Sequence, residues 1–204
     1  MGIPLEDAMM QRAVFGLFAI SCASLHAGTL EVRNDGFDPV DGAAFQGGFG
    51  EGEIAAASLV TPCAPASLNA VRLLYGGADA TRTVTIVIYD DTAATTLPGA
   101  PLGGSDFQLT GNNTALSEID LTGEAIALPA RFRVGVQFQD TGLPSIGRDL
   151  DGTIDDAKNF VRVNDGGSGQ WVRSDDIGIH TDWIIRAVVD CTNDNIFKNG
   201  FEAG

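Results

Sequence analysis

The chain has 204 residues, enough for one substantial hydrophobic core. It carries 27 acidic and 12 basic side chains, a formal net charge of −15 at pH 7. Such a surface repels nucleic-acid phosphates and anionic membranes, so nucleic acid is excluded as an expected partner. Hydrophobic residues make up 44% of the chain and glycines number 26, which indicates short strands joined by tight turns.

Residues 1–27 are predicted to be an export signal. Residues 10–12 carry one positive charge, and residues 13–22 form an apolar segment of the usual length. Glu6 and Asp7 do not fit a signal, so the true start is expected at Met9 or Met10. The apolar run and every later segment fall short of the roughly 20 residues that span a bilayer. We therefore expect a secreted, periplasmic or cell-surface protein; a buried N-terminal helix is the alternative.

Two cysteines, Cys63 and Cys191, remain after the signal is removed. They flank the first and last confident strands, and two cysteines in an exported chain usually pair. The sequence therefore predicts a Cys63–Cys191 disulfide that joins the two ends of the domain. Two buried free thiols are the alternative.

The mature chain alternates short apolar runs with Gly, Asn, Asp and Pro turns, with no convincing amphipathic helix. After a Gly- and Phe-rich lead-in at 28–52, a domain at 53–191 is followed by a tail at 192–204. Strands are predicted at residues 30–33, 53–60, 68–75, 82–90, 107–109, 117–121, 131–139, 159–164, 170–173 and 183–190. About ten short strands predict an all-β, antiparallel sandwich or barrel of jelly-roll type.

The strand at 131–139 shows the clearest pattern. Phe132, Val134, Val136 and Phe138 alternate with polar or small residues, which predicts a half-buried strand. Residues 140–151 are predicted to form a loop, and the end of this loop carries the first residues of an acidic cluster.

That cluster is a candidate calcium site formed by four aspartates: Asp149, Asp151, Asp155 and Asp156. Calcium prefers hard oxygen ligands from carboxylates and carbonyls on a turning loop. With Gly152 as the central glycine of an EF-hand loop, however, Lys158 stands where the closing glutamate belongs. A solvated Asp-Gly turn is the alternative.

Trp171 and Arg173 are the candidate ligand-binding residues. The Gly-rich segment 166–169 precedes them, which favours exposure, and an exposed tryptophan can stack on a sugar. A structural role for Trp171 is the alternative. Trp183 lies in phase with Ile185 and Ala187, so it is assigned to the core.

Most enzymatic signatures are missing. His180 is the one histidine left after signal removal, and the sequence has no nucleophile elbow, phosphate loop or dinucleotide fingerprint. Two-carboxylate hydrolase chemistry needs only acidic residues and stays open as an alternative. We expect a non-enzymatic protein.

Several short motifs resemble small exported β-sandwich modules of Gram-negative bacteria. They are Tyr-Asp-Asp at 89–91, Pro-Gly at 98–99, Phe-Arg-Val-Gly at 132–135, Pro-Ser-Ile-Gly at 144–147 and Trp-Ile-Ile-Arg at 183–186. The tail with Asn-Gly-Phe-Glu at 199–202 is similar to a short C-terminal extension of such exported proteins. The resemblance implies a jelly-roll-like module of the kind that often accompanies secreted enzymes or surface proteins, and it does not specify a ligand. We expect a role in binding a glycan or a surface protein at the cell surface or outside the cell; a structural envelope component without a ligand is the alternative.

Overall fold

The computed structural model describes residues 28–40, 42–151, 154–164, 166 and 169–191. The predicted signal at 1–27 and the predicted tail at 192–204 lie outside these residues.

The described chain is all-β, with fourteen strands where about ten were expected. The strands are β1 (Thr29–Val32), β2 (Ala44–Phe45), β3 (Ile54–Val60), β4 (Ser67–Leu73), β5 (Tyr75–Gly76), β6 (Thr81–Asp90), β7 (Pro101–Thr110), β8 (Ser117–Asp120), β9 (Arg131–Phe138), β10 (Ser145–Asp149), β11 (Asn159–Val163), β12 (Gln170–Arg173), β13 (Asp182–Trp183) and β14 (Ile185–Asp190). Three single-turn 3₁₀ helices lie at Thr122–Glu124, Asp156–Lys158 and Asp175–Ile177. No helix in the described part of the chain is long and apolar enough to cross a membrane.

All pairings between these strands are antiparallel, and they form three sheets. A six-stranded sheet has the order β12-β11-β3-β9-β6-β7, and a four-stranded sheet has the order β1-β14-β4-β8. A small sheet of β13, β10 and β2, with β5 also paired to β10, completes the fold. The architecture is the predicted antiparallel β-sandwich.

The core lies between the two larger sheets. Alternate residues of β9, from Phe132 to Phe138, belong to it together with Val84, Ile86 and Ile88 of β6. The four-stranded sheet contributes Ile185, Ala187 and Val189 from β14. Trp183 is fully buried in the same core, as its phase with Ile185 predicted.

Two predicted strands are each divided in the structure. Leu74 separates β4 from β5, and Ile184 separates β13 from β14. Their backbones meet at Gly147: Leu74 N–H donates to Ile184 O at 3.1 Å, and Gly147 N–H donates to Leu74 O at 2.7 Å. The chain therefore changes sheet at these two residues, a rearrangement that a continuous apolar pattern cannot reveal.

The prediction of a loop at 140–151 was wrong for the second half of that segment. Ser145–Asp149 is strand β10, which pairs with β13 on one side and with β2 on the other. Its sequence lacks apolar alternation, so its strand character comes from pairing on both edges.

The expectation that β9 is half-buried was also wrong. Arg133, on the face opposite Phe132, is fully buried. A second apolar cluster of Ile54, Ala56 and Phe160, with Tyr89 and Trp171 against it, occupies this face of the six-stranded sheet. The sheet is therefore covered on both faces around its central strands.

Tyr75 on β5 makes the free energy of unfolding depend on pH in the alkaline range. Its ring is 1% exposed, and burial raises the pKa of its hydroxyl to about 12. An unfolded tyrosine ionises near pH 10, so the stabilising contribution of neutral Tyr75 is complete below pH 10 and is lost as pH rises towards 12. Between pH 8 and 11, we expect the free energy of unfolding to fall more in the native sequence than in Tyr75→Phe, by on the order of 1 kcal/mol. Rapid denaturant titrations at both pH values measure this difference; equal decreases in the two proteins would contradict it.

Candidate functional site

The candidate site is a surface cavity of about 430 Å³ beside the small sheet. One wall is formed by residues 42–44, which lead into β2, and the other by residues 148–151 at the end of β10. Because β10 and β2 are neighbouring strands, with Arg148 opposite Ala44, the two walls are held at a fixed separation. The lining combines an arginine, two aspartates and the exposed side chain of Leu150.

Arg148 is the distinctive residue of this cavity. It is half-buried, and within the described residues its guanidinium makes no ion pair and no hydrogen bond. Its Nε is sealed from solvent without a hydrogen-bond partner. A buried donor that is left unsatisfied costs about 1 to 3 kcal/mol. Arg133 Nε, Ser145 Oγ and Ser174 Oγ are sealed in the same way, so Arg148 is set apart by the fact that it also lines a cavity.

Asp149 is buried and its carboxylate is largely occupied by backbone donors. Oδ2 accepts from Gly36 N–H at 2.7 Å, and Oδ1 accepts from Asp151 N–H at 3.2 Å. These bonds fix the turn at the end of β10 and hold the carboxylate in the cavity wall. Asp151 is exposed at the rim and has a partner of its own.

The surroundings of the cavity are acidic. Asp182 of β13 is buried and lies opposite Asp149 in the strand pairing. Burial, together with the nearby charges of Asp149 and Asp35, raises the pKa of the Asp182 carboxyl, although Asn159 opposes the shift by donating a hydrogen bond at 2.5 Å. The raised pKa favours the neutral form of Asp182, so Asp149 and Asp151 are the acidic side chains that line the cavity, alongside the positive charge of Arg148.

The four aspartates of the predicted calcium site have separate surroundings. Asp149 and Asp151 line the cavity, whereas Asp155 accepts from Ala157 N–H and pairs with Lys158 at 3.0 Å. The Lys158 hydrogen bond lowers the pKa of the Asp155 carboxyl. Asp156 instead lies beside His180. Gly152 falls outside the described residues, and calcium binding by this set stays a prediction.

Trp171 lies on the covered face of the six-stranded sheet. Its ring meets Tyr89 edge-on, with ring centroids 5.6 Å apart, and the Arg133 guanidinium carbon lies 5.2 Å from its centroid. It is half-buried, while Arg173 on the same strand is exposed. These contacts show that Trp171 packs against other residues of the fold. Stacking of its ring on a ligand stays a prediction.

The sequence pattern pointed to Asp149 and Asp151 but not to Arg148, which lies inside the predicted loop at 140–151. The fact that distinguishes Arg148 is its missing partner, which only the folded chain reveals.

No protein-family model matches the chain, and no curated protein matches it. Among solved structures, the chain is similar to Cwp84, a surface-layer-associated protein of Clostridium difficile, in a crystal structure of its cysteine protease and lectin-like domains. The sequence identity is 8%, the match covers 69% of this chain and 32% of that one, and the TM-score is 0.49. A structure of the clostridial cysteine protease Cwp84 after propeptide cleavage gives 8% identity, 71% and 37% coverage, and a TM-score of 0.51.

At 8% identity the similarity concerns the fold alone. The chain spans about a third of the length of the solved chains it matches. The β-sandwich is therefore a fold with solved counterparts, and function has to be argued from the site itself.

Proposed function

We propose that this chain is an exported, non-catalytic β-sandwich module that binds a neutral glycan in the Arg148 cavity at the cell surface or outside the cell. The observation that carries the proposal is the half-buried guanidinium of Arg148, which lines a cavity and lacks a partner within the described chain. Export is supported by the signal-like N-terminus and by the Cys63–Cys191 disulfide, a bond that forms in oxidising compartments.

The chemistry of the lining favours hydroxyl groups over anions. A guanidinium only donates hydrogen bonds, a carboxylate only accepts them, and a sugar hydroxyl does both. Arg148 beside Asp149 and Asp151 therefore complements adjacent sugar hydroxyls, while the exposed Leu150 offers an apolar surface to the C–H face of a ring. An anionic ligand would gain the charge of Arg148 but would also meet the carboxylates of Asp149 and Asp151, so a neutral sugar is the better match to this lining.

A non-catalytic role agrees with the residues of the cavity. The carboxylate of Asp149 is engaged with two backbone N–H groups, so it is held as a rigid acceptor and not as a mobile base. None of the described residues that line the cavity is a histidine, and Cys63 and Cys191 are joined, so neither supplies a thiol nucleophile.

A glycan array, followed by calorimetry with the sugar that binds best, tests the proposal on the full exported chain. We expect Arg148→Gln to weaken that binding by about 10- to 100-fold, because a hydrogen bond to a charged group is worth roughly 1.5 to 3 kcal/mol. Circular dichroism should show an unchanged fold, since Arg148 has no partner to lose.

The matched control is Arg173→Gln, an exposed arginine outside the cavity, which should leave binding unchanged. If Arg173→Gln abolishes binding and Arg148→Gln does not, the site lies at Trp171 and Arg173. If no glycan binds, the proposal fails and a structural envelope component without a ligand becomes the better interpretation.

A further inference from the structure

Three side chains that suit a metal ion meet outside the Arg148 cavity. Asp156 lies on the 3₁₀ helix before β11, while Asp175 and His180 follow β12. His180 Nδ1 lies 2.9 Å from Asp156 Oδ1 and 3.4 Å from Asp175 Oδ1, and the ligand atoms of all three lie within 4.8 Å of one another. This is the one such group of three in the described chain, and it shares no residue with the cavity.

The backbone places these residues together. Strands β11 and β12 form an antiparallel pair, and Ser174 N–H donates to Asn159 O at 3.0 Å beyond the last paired residues. The two 3₁₀ helices therefore leave the same end of the hairpin, one before β11 and one after β12. The turn at Gly178, with a positive φ of 77°, then returns the chain towards Asp156.

The contact between Asp156 and His180 lacks a directed hydrogen bond. Asp156 Oδ1 is sealed from solvent and accepts no hydrogen bond, although His180 Nδ1 lies only 2.9 Å away. The two atoms thus touch without an N–H directed at the oxygen. A carboxylate oxygen that has lost water and gained no donor is destabilised unless a cation approaches it.

The spacing of the atoms leaves room for one ion. Two ligand atoms at about 2.0 to 2.2 Å from a metal ion lie at most about 4.4 Å apart. His180 Nδ1 lies 2.9 and 3.4 Å from the two carboxylate oxygens, and all three ligand atoms lie within 4.8 Å of one another, so small movements of the exposed Asp175 and His180 side chains bring the three to one ion.

We propose that Asp156, Asp175 and His180 bind a divalent transition-metal ion of the Zn²⁺ type. Imidazole nitrogen with carboxylate oxygen suits Zn²⁺ and its neighbours, whereas Ca²⁺ and Mg²⁺ prefer ligand sets made of oxygen alone. The site therefore differs in chemistry from the predicted calcium cluster, with which it shares only Asp156. The His180 and Asp175 side chains are 60% and 52% exposed, which provides an entry path and leaves coordination positions open to water or an external ligand.

The test is Zn²⁺ binding to the full chain purified without a histidine tag, followed by calorimetry and by the shift in thermal midpoint. We expect one Zn²⁺ per chain and a raised midpoint, because an ion that binds only the folded state stabilises it. Loss of a ligand should weaken binding by about tenfold or more in His180→Ala and in Asp175→Asn.

Asp176→Asn is the matched control, because Asp176 neighbours Asp175 on the same exposed helix and lies outside the group of three. It should bind Zn²⁺ like the native chain. Unchanged Zn²⁺ affinity in His180→Ala would overturn the proposal, because binding would then be a general property of the acidic surface. Absence of Zn²⁺ binding to the native chain, or a midpoint raised by Ca²⁺ but not by Zn²⁺, would overturn it as well.

Discussion

Replacing Asp91 by alanine will destabilise the protein by about 3 to 5 kcal/mol, the cost of leaving a buried charge without its counter-ion. Arg133 is 0% exposed and Asp91 is 2% exposed, and Arg133 Nη2 donates to Asp91 Oδ1 at 2.7 Å. The other Asp91 oxygen accepts from Ser58 Oγ at 2.5 Å. Removing the carboxylate therefore strips both Arg133 and Ser58 of a partner.

The remaining contacts of Arg133 cannot replace that carboxylate. Its guanidinium donates to the carbonyl oxygens of Thr95 and Thr96 at 2.9 and 3.0 Å, and its Cζ lies 3.5 Å above the centroid of the Phe160 ring. Burial already lowers the pKa of Arg133. Carbonyl dipoles and an aromatic face ease the burial of a cation, yet they supply no net negative charge.

Denaturant unfolding of Asp91→Ala measures the loss, and Asp140→Ala is the matched control. Asp140 pairs with Arg82 at 3.4 Å, and both side chains are substantially exposed, so this change should cost less than about 1 kcal/mol. Joint replacement in Asp91→Ala/Arg133→Met should be less destabilising than Asp91→Ala alone, because the orphaned charge is removed. Equal effects of Asp91→Ala and Asp140→Ala would contradict the argument.

The Asp91–Arg133 pair also illustrates what the sequence could not predict. The alternation of β9 placed Phe132 and its neighbours on the core face correctly, because apolar period-two patterns record burial on one side. The same pattern assigned Arg133 to solvent. Its burial depends on Asp91, 42 residues away, and on Phe160 from another strand, and no local pattern encodes such pairing.

The candidate site was predictable only in part, for a related reason. Aspartates 149 and 151 stood out because acidic residues cluster there in the sequence. Arg148 did not, because its significance lies in the absence of a partner after folding. His180 and Asp156 were each noted separately, but 24 positions separate them, and the β11–β12 hairpin brings them together.

The disulfide, by contrast, followed from little more than counting, and the structure confirms it. Cys63 and Cys191 are bonded, with Cα atoms 5.8 Å apart and a sequence separation of 128. Cys191 directly follows β14, and Cys63 precedes β4, whose first residue Ser67 lies opposite Asp190. The bond therefore closes a loop that contains most of the sandwich.

The double variant Cys63→Ala/Cys191→Ala should accordingly lose about 4 to 5 kcal/mol of stability, the chain-entropy value for a closed loop of more than 100 residues. The effect acts mainly on the unfolded chain, which becomes more expanded without the bond. Denaturant titration should therefore show a lower midpoint together with a steeper dependence on denaturant, because more surface is exposed on unfolding. The control is treatment with a thiol reductant, which should produce both changes in the native protein and neither in the double variant, because the reagent acts through the Cys63–Cys191 bond. A loss below about 1 kcal/mol with an unchanged slope would mean that the unfolded chain stays compact without the bond, and the entropic account would then be wrong.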